Sequence, residues 1–214
     1  MQAGAQLFAE QGFHAVSVRA IVAAADVNLG AINYHFGSKQ ALFEEIFAAG
    51  ASRMVQHRLD LLDQCREGPG RPPLLEQIVT AYLAPGLTYG KDRPEVAQFQ
   101  RIRARIVTED SELAHSLLRR HYRVSTERFL DLFQQALPDV PRPLLLWRYQ
   151  TLIATVVYGG SSWGTVQSAP DEESGADDSQ ALDYLVPLMA AMFRAPPESQ
   201  PMDSAAVLAA LTKD

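Results

Sequence analysis

Apolar residues recur every three or four positions along most of this chain. That spacing places them on one face of an α-helix, whereas a half-buried strand would alternate strictly between apolar and polar residues. The sequence contains no alternating run and no internal repeat. The pattern therefore predicts an all-α protein of about nine or ten helices.

Proline and glycine residues divide this pattern into long segments. Beyond the first 38 residues, the expected helices span 39–66, 74–84, a segment that begins at 94, 111–137, 143–163 and 179–194. The pair Pro85-Gly86 is expected to end the helix of residues 74–84. The helix of residues 143–163 is unusually apolar, and the last one carries an apolar stripe.

The segment Val16 to Lys39 has the pattern of two short helices joined by a tight turn. Ser17 and Asn28 can cap these helices, because their side chains accept hydrogen bonds from free backbone N–H groups. Asp26 lies at the turn, where Asp tolerates a left-handed backbone better than most residues do. Ser38 can cap the long helix that follows. The segment therefore predicts a helix-turn-helix, whose second helix fits a DNA major groove.

The run QLFAEQGFHAVSVRAIVAAADVNLGAINYHFGSKQAL, from Gln6 to Leu42, closely resembles the DNA-binding domain of the tetracycline-repressor (TetR) family of bacterial regulators. The matching elements are LFAEQGF, the S-V-R before the first short helix, and Y-H-F-G-S-K with its following Leu. The resemblance covers about the first fifth of the chain. It implies a dimeric, all-helical, ligand-responsive repressor.

The resemblance also implies which residues face DNA. Tyr34, His35 and Lys39 match family positions that contact phosphates, and Lys39 also lies at a helix start, where N–H groups can hold a phosphate. Arg19 matches a position that reads a base or a phosphate, with a surface salt bridge to Asp26 as the alternative. The expected DNA-binding set is Ser17, Arg19, Asn28, Leu29, Gly30, Ala31, Asn33, Tyr34, His35 and Lys39.

Several positions near the expected base edges depart from the family pattern or offer few hydrogen bonds. Leu29, Gly30 and Ala31 can contact a thymine methyl group or simply allow close approach. Asn33 replaces a Tyr that faces DNA in many members, and it can pair with adenine or bind a phosphate. Asp26 replaces the usual turn Gly. The chain begins partway along the family's first helix, so we expect a truncated start or an abbreviated first helix.

Composition changes this interpretation only slightly. The net charge is −6, and the first 60 residues hold four basic and five acidic side chains, so DNA affinity should depend on dimerisation and on backbone N–H contacts. The single cysteine, Cys65, excludes an intrachain disulfide and fits a cytoplasmic protein. The histidines and acidic residues lack metal-ligand spacing, so no metal and no cofactor are expected.

A candidate effector site combines basic and aromatic side chains from the later helices. Arg101 and Arg105 are four residues apart and share a helix face, which is either a solvated basic face or an anion-binding rim. The other candidates can equally be ordinary core residues. The expected ligand-binding set is Met54, Phe99, Arg101, Arg105, Tyr122, Ser125, Phe129, Phe133 and Trp147.

The last two long helices are the expected dimer face. The family places its dimer contact there, and the apolar helix of residues 143–163 cannot have one solvated face. Small residues late in that helix permit close crossing. The expected interface is Trp147, Gly159, Gly160, Leu182, Leu185, Met189 and Phe193, unless these stripes pack only within one subunit.

We therefore expect residues 1–45 to form a helix-turn-helix DNA-binding domain and 46–214 a ligand-binding and dimerisation domain. The chain is interpreted as a non-enzymatic repressor that a small apolar effector releases from near-palindromic DNA. The segments VNLGAINYHFGSK and LPDVPRPLLLWRYQTLIATVV resemble the fatty-acid-responsive PsrA-like branch, which implies an acyl chain or acyl-CoA. The alternatives are an all-helical small-molecule enzyme and an architectural DNA binder without an effector.

Overall fold

The computed structural model describes residues 1–28, 30, 34–65, 73–87, 93–162 and 178–196, and it describes their side chains except at 158–162 and 178–180. Within these ranges the chain forms eight helices and no strand, and residues 30, 34 and 35 add helical backbone between the second and third of them. The helices are α1 (Gln2–Gln11), α2 (Val18–Ala25), α3 (Lys39–Gln64), α4 (Leu75–Leu87), α5 (Pro94–Glu109), α6 (Ser111–Ala136), α7 (Arg142–Ser162) and α8 (Asp178–Arg194). The predicted all-α class is confirmed. Among the described residues, no helix is long and apolar enough to cross a membrane.

The N-terminal helices pack around an aromatic core. Phe8 from α1 meets Phe43 from α3 edge to face, with ring centroids 5.1 Å apart, and Phe13 lies 4.9 Å from the same ring. The hydroxyl of Ser17 accepts a hydrogen bond from the Ala20 N–H at 3.1 Å, as the sequence predicts for a cap. The ring contacts hold α1 and the loop after it against α3, and the Ser17 cap starts α2 at Val18.

The turn after α2 adopts the predicted left-handed backbone. Asp26 has φ 52° and ψ 46°, and its N–H bonds back to the last turn of α2. The long helix α3 then starts at a second predicted cap, where the Ser38 hydroxyl accepts from the Ala41 N–H at 3.1 Å. Because α3 continues without a break past residue 45, one rigid helix belongs to both halves of the molecule.

The C-terminal half is a bundle organised around α4. Nine of the thirteen residues of α4 are buried and none is exposed, and α4 packs against α3, α7 and α8. The expected end of this helix at Pro85-Gly86 is wrong, because α4 continues to Leu87 with Pro85 inside it. Gly86 lies so close to Val156 and Gln100 that a Cβ atom would clash with both, and its carbonyl accepts a hydrogen bond from Gln100. Tertiary packing therefore outweighs the tendency of Pro85-Gly86 to end the helix.

The last helix, α8, is fastened to the bundle along its apolar stripe. Phe193 stacks on Phe133 with centroids 4.1 Å apart. The buried guanidinium of Arg148 donates to the carbonyls of Phe193 and Ala195, both at 2.7 Å, and so caps the end of α8. Leu185 and Met189 belong to the same core as Phe193.

This packing corrects the expected dimer stripe. Leu185, Met189 and Phe193 are buried within the subunit, and Leu182 packs against the same core, so they are not free to meet a second copy. The helical period of α8 gives it two faces, and the face that contains Leu185 and Met189 packs in the subunit's own core.

Candidate DNA-binding and effector sites

The segment after the helix-turn-helix turn is exposed at residues 30, 34 and 35, where the structure describes it. Gly30, Tyr34 and His35 have helical backbone. Tyr34 is 87% exposed, and its ring lies edge to face against that of His35 with centroids 5.2 Å apart. Both side chains are exposed, and their contact with phosphates stays a prediction. The expected base-reading residues Leu29, Ala31 and Asn33 lie outside the described residues.

Three further expected DNA contacts flank this surface. Arg19 and Asn28 are exposed, at the start of α2 and just after the turn. Within the described ranges, no ion pair joins Arg19 to Asp26, so the alternative role for Arg19 has no support in the structure. The hydroxyl of Ser17 is already occupied by the cap of α2.

Lys39 has an internal partner that the sequence did not indicate. Its Nζ donates to the carbonyl oxygens of Phe13 at 2.9 Å and of Val16 at 3.0 Å. It also lies 4.5 Å from the centroid of the Phe13 ring, which is a cation–π contact. Because an ammonium group has three N–H donors, these two bonds leave one donor for a phosphate. Lys39 therefore holds the loop between α1 and α2 against the start of α3.

The C-terminal end of α5 is hydrogen-bonded to the end of α1 and to the loop after it. Arg105 donates from Nε to the Ala9 carbonyl at 3.1 Å and from Nη2 to the Glu10 carbonyl at 2.9 Å. One turn later, the carboxylate of Glu109 accepts the Phe13 N–H at 2.8 Å. Gly12, with φ 85° and ψ 171°, lies against that carboxylate, where any Cβ atom would clash.

The structure does not bring Arg101 and Arg105 together as the rim of one cavity. Arg105 faces the backbone of α1, and Arg101 is exposed beside an open groove between α1, α3 and α5. Their intervening neighbour, Arg103, points the other way and is buried. Residues two apart on a helix face opposite sides, so spacing could have indicated this difference.

A partly open cavity of about 470 Å³ lies between α4, α5, α6 and α7. Its lining residues are Tyr82, Arg103, Leu118, Arg119, Tyr122, Arg123, Thr126, Glu127, Leu146, Tyr149, Gln150 and Ile153. The lining joins the two apolar cores of the molecule, since Tyr122 belongs to one core and Tyr82 and Tyr149 to the other. This volume lies in the usual range for small-molecule sites.

Only Tyr122 of the expected ligand-binding set lines this cavity. Ser125 lies behind it, with its hydroxyl bonded to the Tyr122 carbonyl at 3.0 Å. Phe129 supports the cavity through an edge-to-face contact with Tyr82, at 5.2 Å. Met54, Phe99 and Phe133 are buried in the cores.

Two buried arginines were missed by the sequence analysis. Arg58 of α3 and Arg103 of α5 are at most 2% exposed, although both lie on apolar stripes. The Arg58 guanidinium stacks 3.7 Å from the Tyr82 ring centroid, and its Nε donates to the Tyr82 carbonyl at 3.1 Å. Burial raises the pKa of the Tyr122 hydroxyl, while the cations of Arg103 and Arg58 act in the opposite direction.

Large apolar side chains are exposed on α7 and α8. Trp147 is 71% exposed and is not among the residues that line the cavity, and it remains in the expected dimer face. Tyr184 and Leu188, which the sequence analysis missed, are 74% and 58% exposed. Gly159 and Gly160 lie in α7, where their surroundings are outside the described residues.

Family comparisons agree with this architecture. The family model described as bacterial regulatory proteins, tetR family, matches residues 1–46. The model described as tetracyclin repressor-like, C-terminal domain, matches residues 80–192. A search of curated protein sequences found no match.

Solved structures with the same fold are distant in sequence. The fatty acid degradation regulator FadR from Bacillus halodurans is 15% identical, with a TM-score of 0.61 over 91% of this chain and 96% of that one. GusR from Salmonella enterica is 20% identical, with a TM-score of 0.60 over 90% of each chain. The TetR-family regulator PfmR from Thermus thermophilus is 15% identical, with a TM-score of 0.60 over 90% of this chain and 92% of that one. At these identities the likeness shows the fold.

The two family models together span the helix-turn-helix and most of the bundle, which confirms the resemblance found in the first 42 residues. The chain belongs to the tetracycline-repressor (TetR) family of DNA-binding transcriptional regulators.

Proposed function

We propose that this regulator is a homodimeric, one-component repressor that leaves a near-palindromic operator when a small, largely apolar effector enters its bundle. The observation that carries the proposal is the pair of α5 contacts described above. One helix lines the cavity through Arg103 and holds the end of α1 through Arg105 and Glu109. A ligand that moves α5 therefore acts directly on the DNA-binding half.

On the DNA side, we assign residues 1–45 to operator binding. Exposed Tyr34 and His35 supply phosphate contacts, together with the remaining N–H of Lys39. Arg19 is available for a base or a phosphate, and Gly30 allows close approach. Asn33, which lies outside the described residues, completes the reading of base edges in this proposal.

The proposed dimer face is the exposed side of α7 and α8. Trp147, Thr151 and Ala154 follow one another at helical spacing on α7 and are all exposed. On α8 the corresponding exposed stripe is Tyr184, Leu188 and Ala191. Two copies related by a two-fold axis would bury both stripes, in a contact expected to exceed roughly 1,200 Å² in total.

For the effector we propose an acyl chain. The support is the resemblance of the DNA-reading segment to the fatty-acid-responsive branch and a cavity wall that includes Leu118, Leu146 and Ile153. Coupling between effector and operator is expected to be about 1–3 kcal/mol, which is typical of allosteric proteins. That free energy corresponds to roughly a 5- to 150-fold loss of operator affinity.

A selection experiment tests the DNA half of the proposal. The protein is incubated with duplexes that carry a random central region, and bound duplexes are recovered and sequenced over several rounds. We expect an inverted repeat whose half-sites are about one helical turn apart. Enrichment of no motif, or of a single asymmetric site, would contradict the proposed dimeric operator binding.

A thermal-shift series tests the effector half. Fatty acids and acyl-CoAs of graded chain length are added to the protein, because a ligand that binds only the folded state raises the melting temperature. We expect an optimum at one chain length, set by the cavity. Absence of a shift with every acyl compound would remove the acyl proposal and leave operator binding intact.

A further inference from the structure

Two cations are buried in the bundle without an acidic partner. Among the described residues, no ion pair or hydrogen bond joins Arg58 or Arg103 to a carboxylate. Nη1 and Nη2 of Arg58 and Nε and Nη2 of Arg103 have no hydrogen-bond partner. A guanidinium does not lose its proton in a protein, so both side chains remain charged.

Such an arrangement is costly unless a ligand completes it. A buried charge needs a counter-charge and filled hydrogen bonds, and native proteins rarely leave such donors empty. The two unbonded nitrogens of Arg58, Nη1 and Nη2, form one edge of its guanidinium. The two of Arg103, Nε and Nη2, likewise form one edge. Each edge can bind a carboxylate or phosphate through two parallel hydrogen bonds.

These buried donors lie at or beside the cavity between α4, α5, α6 and α7. Arg103 and Tyr122 line it, and the buried Tyr122 hydroxyl lies close to the Arg103 guanidinium without a well-formed hydrogen bond. Arg58 stacks on Tyr82, another lining residue. The acidic lining residue Glu127 is exposed, and its carboxylate is held by Arg142 at 2.8 Å, so it does not neutralise the buried pair.

We propose that Arg103 and Tyr122, with Arg58 behind them, form the oxyanion-binding end of the effector cavity, and that the effector is a compact apolar or aromatic molecule with one terminal carboxylate or phosphate. The inference rests on the proposed effector-binding function and sharpens it. In acyl-CoA the acyl chain ends in a neutral thioester carbonyl, and the phosphates are separated from it by the long pantetheine arm, so they do not form a terminal oxyanion on the chain. The buried cations therefore favour the free acid.

Two fluorescent probes of similar shape test the charge requirement. The sulfonate 1-anilinonaphthalene-8-sulfonate should bind once per subunit, and Arg103→Met should weaken it by at least about tenfold, because a charge-assisted hydrogen bond is lost. The uncharged N-phenyl-1-naphthylamine should change less than about twofold, since its contacts are apolar. Arg101→Met, on the exposed face of the same helix, is the matched control and should leave both probes unchanged.

Competition then identifies the head group. Octanoate and octyl phosphate should each displace the sulfonate probe, the tighter one identifying the preferred oxyanion, whereas octanamide should not. Equal displacement by octanamide, or sulfonate binding that is indifferent to Arg103→Met, would overturn the inference.

Folding of the variant is controlled by its melting temperature without ligand. Removing an unpaired buried cation should leave this temperature unchanged or raise it by about 2–4 °C. A clear decrease would mean that Arg103 is a structural residue, and would count against the proposal. Operator binding is measured separately on the same samples. If Arg103→Met binds the sulfonate probe as tightly as the wild type does, and operator binding is retained, the oxyanion site is refuted and the proposed DNA-binding function is not.

Discussion

The ammonium group of Lys39 illustrates how one residue can serve two purposes. The family resemblance indicates a phosphate contact, whereas the structure shows bonds to the carbonyls of Phe13 and Val16. These roles are compatible because one N–H remains. They differ in consequence, since a purely phosphate-binding lysine would not affect the stability of the free protein.

We predict that Lys39→Ala lowers the free energy of unfolding by about 2 kcal/mol, because two hydrogen bonds from a charged donor are lost. Operator affinity should also fall, to a similar degree for all duplex sequences. Chemical denaturation and duplex titration measure the two effects. Gln40→Ala, at an exposed neighbouring position, is the control. Unchanged stability in Lys39→Ala would show that its internal contacts are unimportant.

Sequence patterns located residues well where one interaction determines them. The caps at Ser17 and Ser38 and the left-handed Asp26 depend on backbone groups within three residues, and the structure contains all three. Arg103 could be separated from Arg101 and Arg105 only by its place on an apolar stripe. Spacing places Arg103 on the opposite side of α5, but whether that side is buried depends on how α6 and α7 pack against it, which local spacing does not give.

Among the helices, α5 links the two halves of the molecule. Arg103 lines the cavity, and two residues later Arg105 holds two carbonyl oxygens at the end of α1. Glu109 adds a third contact, to the Phe13 N–H. A rotation or shift of α5 would therefore be transmitted to the position of α1, and from there to α2 and the recognition surface.

We predict that Arg105→Ala loosens this link without unfolding the bundle. Two hydrogen bonds from a partly exposed cation contribute about 1–2 kcal/mol, so amide exchange at Gln11 to Phe13 should accelerate roughly 5- to 30-fold. Hydrogen–deuterium exchange with mass spectrometry measures it. Arg101→Ala on the same helix should have no effect. Equal protection in both variants would mean that α5 does not hold α1 through Arg105.

Helix existence was easier to predict than helix partnership. Periodicity identified the long helices, but α4 continues through Pro85 because α5 and α7 pack closely at Gly86. In the same way, α8 has a buried apolar stripe and the exposed stripe of Tyr184, Leu188 and Ala191. Which of them meets the subunit core depends on the positions of α4 and α7, and the spacing along α8 alone does not contain that information.

At the scale of the whole molecule, the exposed stripes of α7 and α8 account for the proposed dimer. We predict that Leu188→Asp converts it to monomers, because dimerisation would bury an unpaired charge. Sedimentation velocity measures the change, and operator binding should be largely lost. Val124→Asp adds the same charge at a 75% exposed site on α6 and should remain dimeric.

Asp substitutions also distinguish the proposed dimer face, which contains Leu188, from the stripe predicted from the sequence, which contains Leu185. Leu185→Asp should unfold the subunit, because Leu185 lies in the core of the bundle. Leu188→Asp should leave the helical circular dichroism unchanged. A Leu188→Asp protein that sediments as a dimer would place the interface elsewhere on the molecule.

Sequence-specific operator binding by a dimer is the central claim, and a competition titration tests it most directly. A fluorescent duplex that carries the selected inverted repeat is titrated with the wild-type protein, and its anisotropy is compared with that of a scrambled duplex at the same salt concentration. We predict two protomers per duplex and binding at least about 10³-fold tighter to the selected sequence, the lower end for specific regulators. Equal affinity for both duplexes would contradict the account.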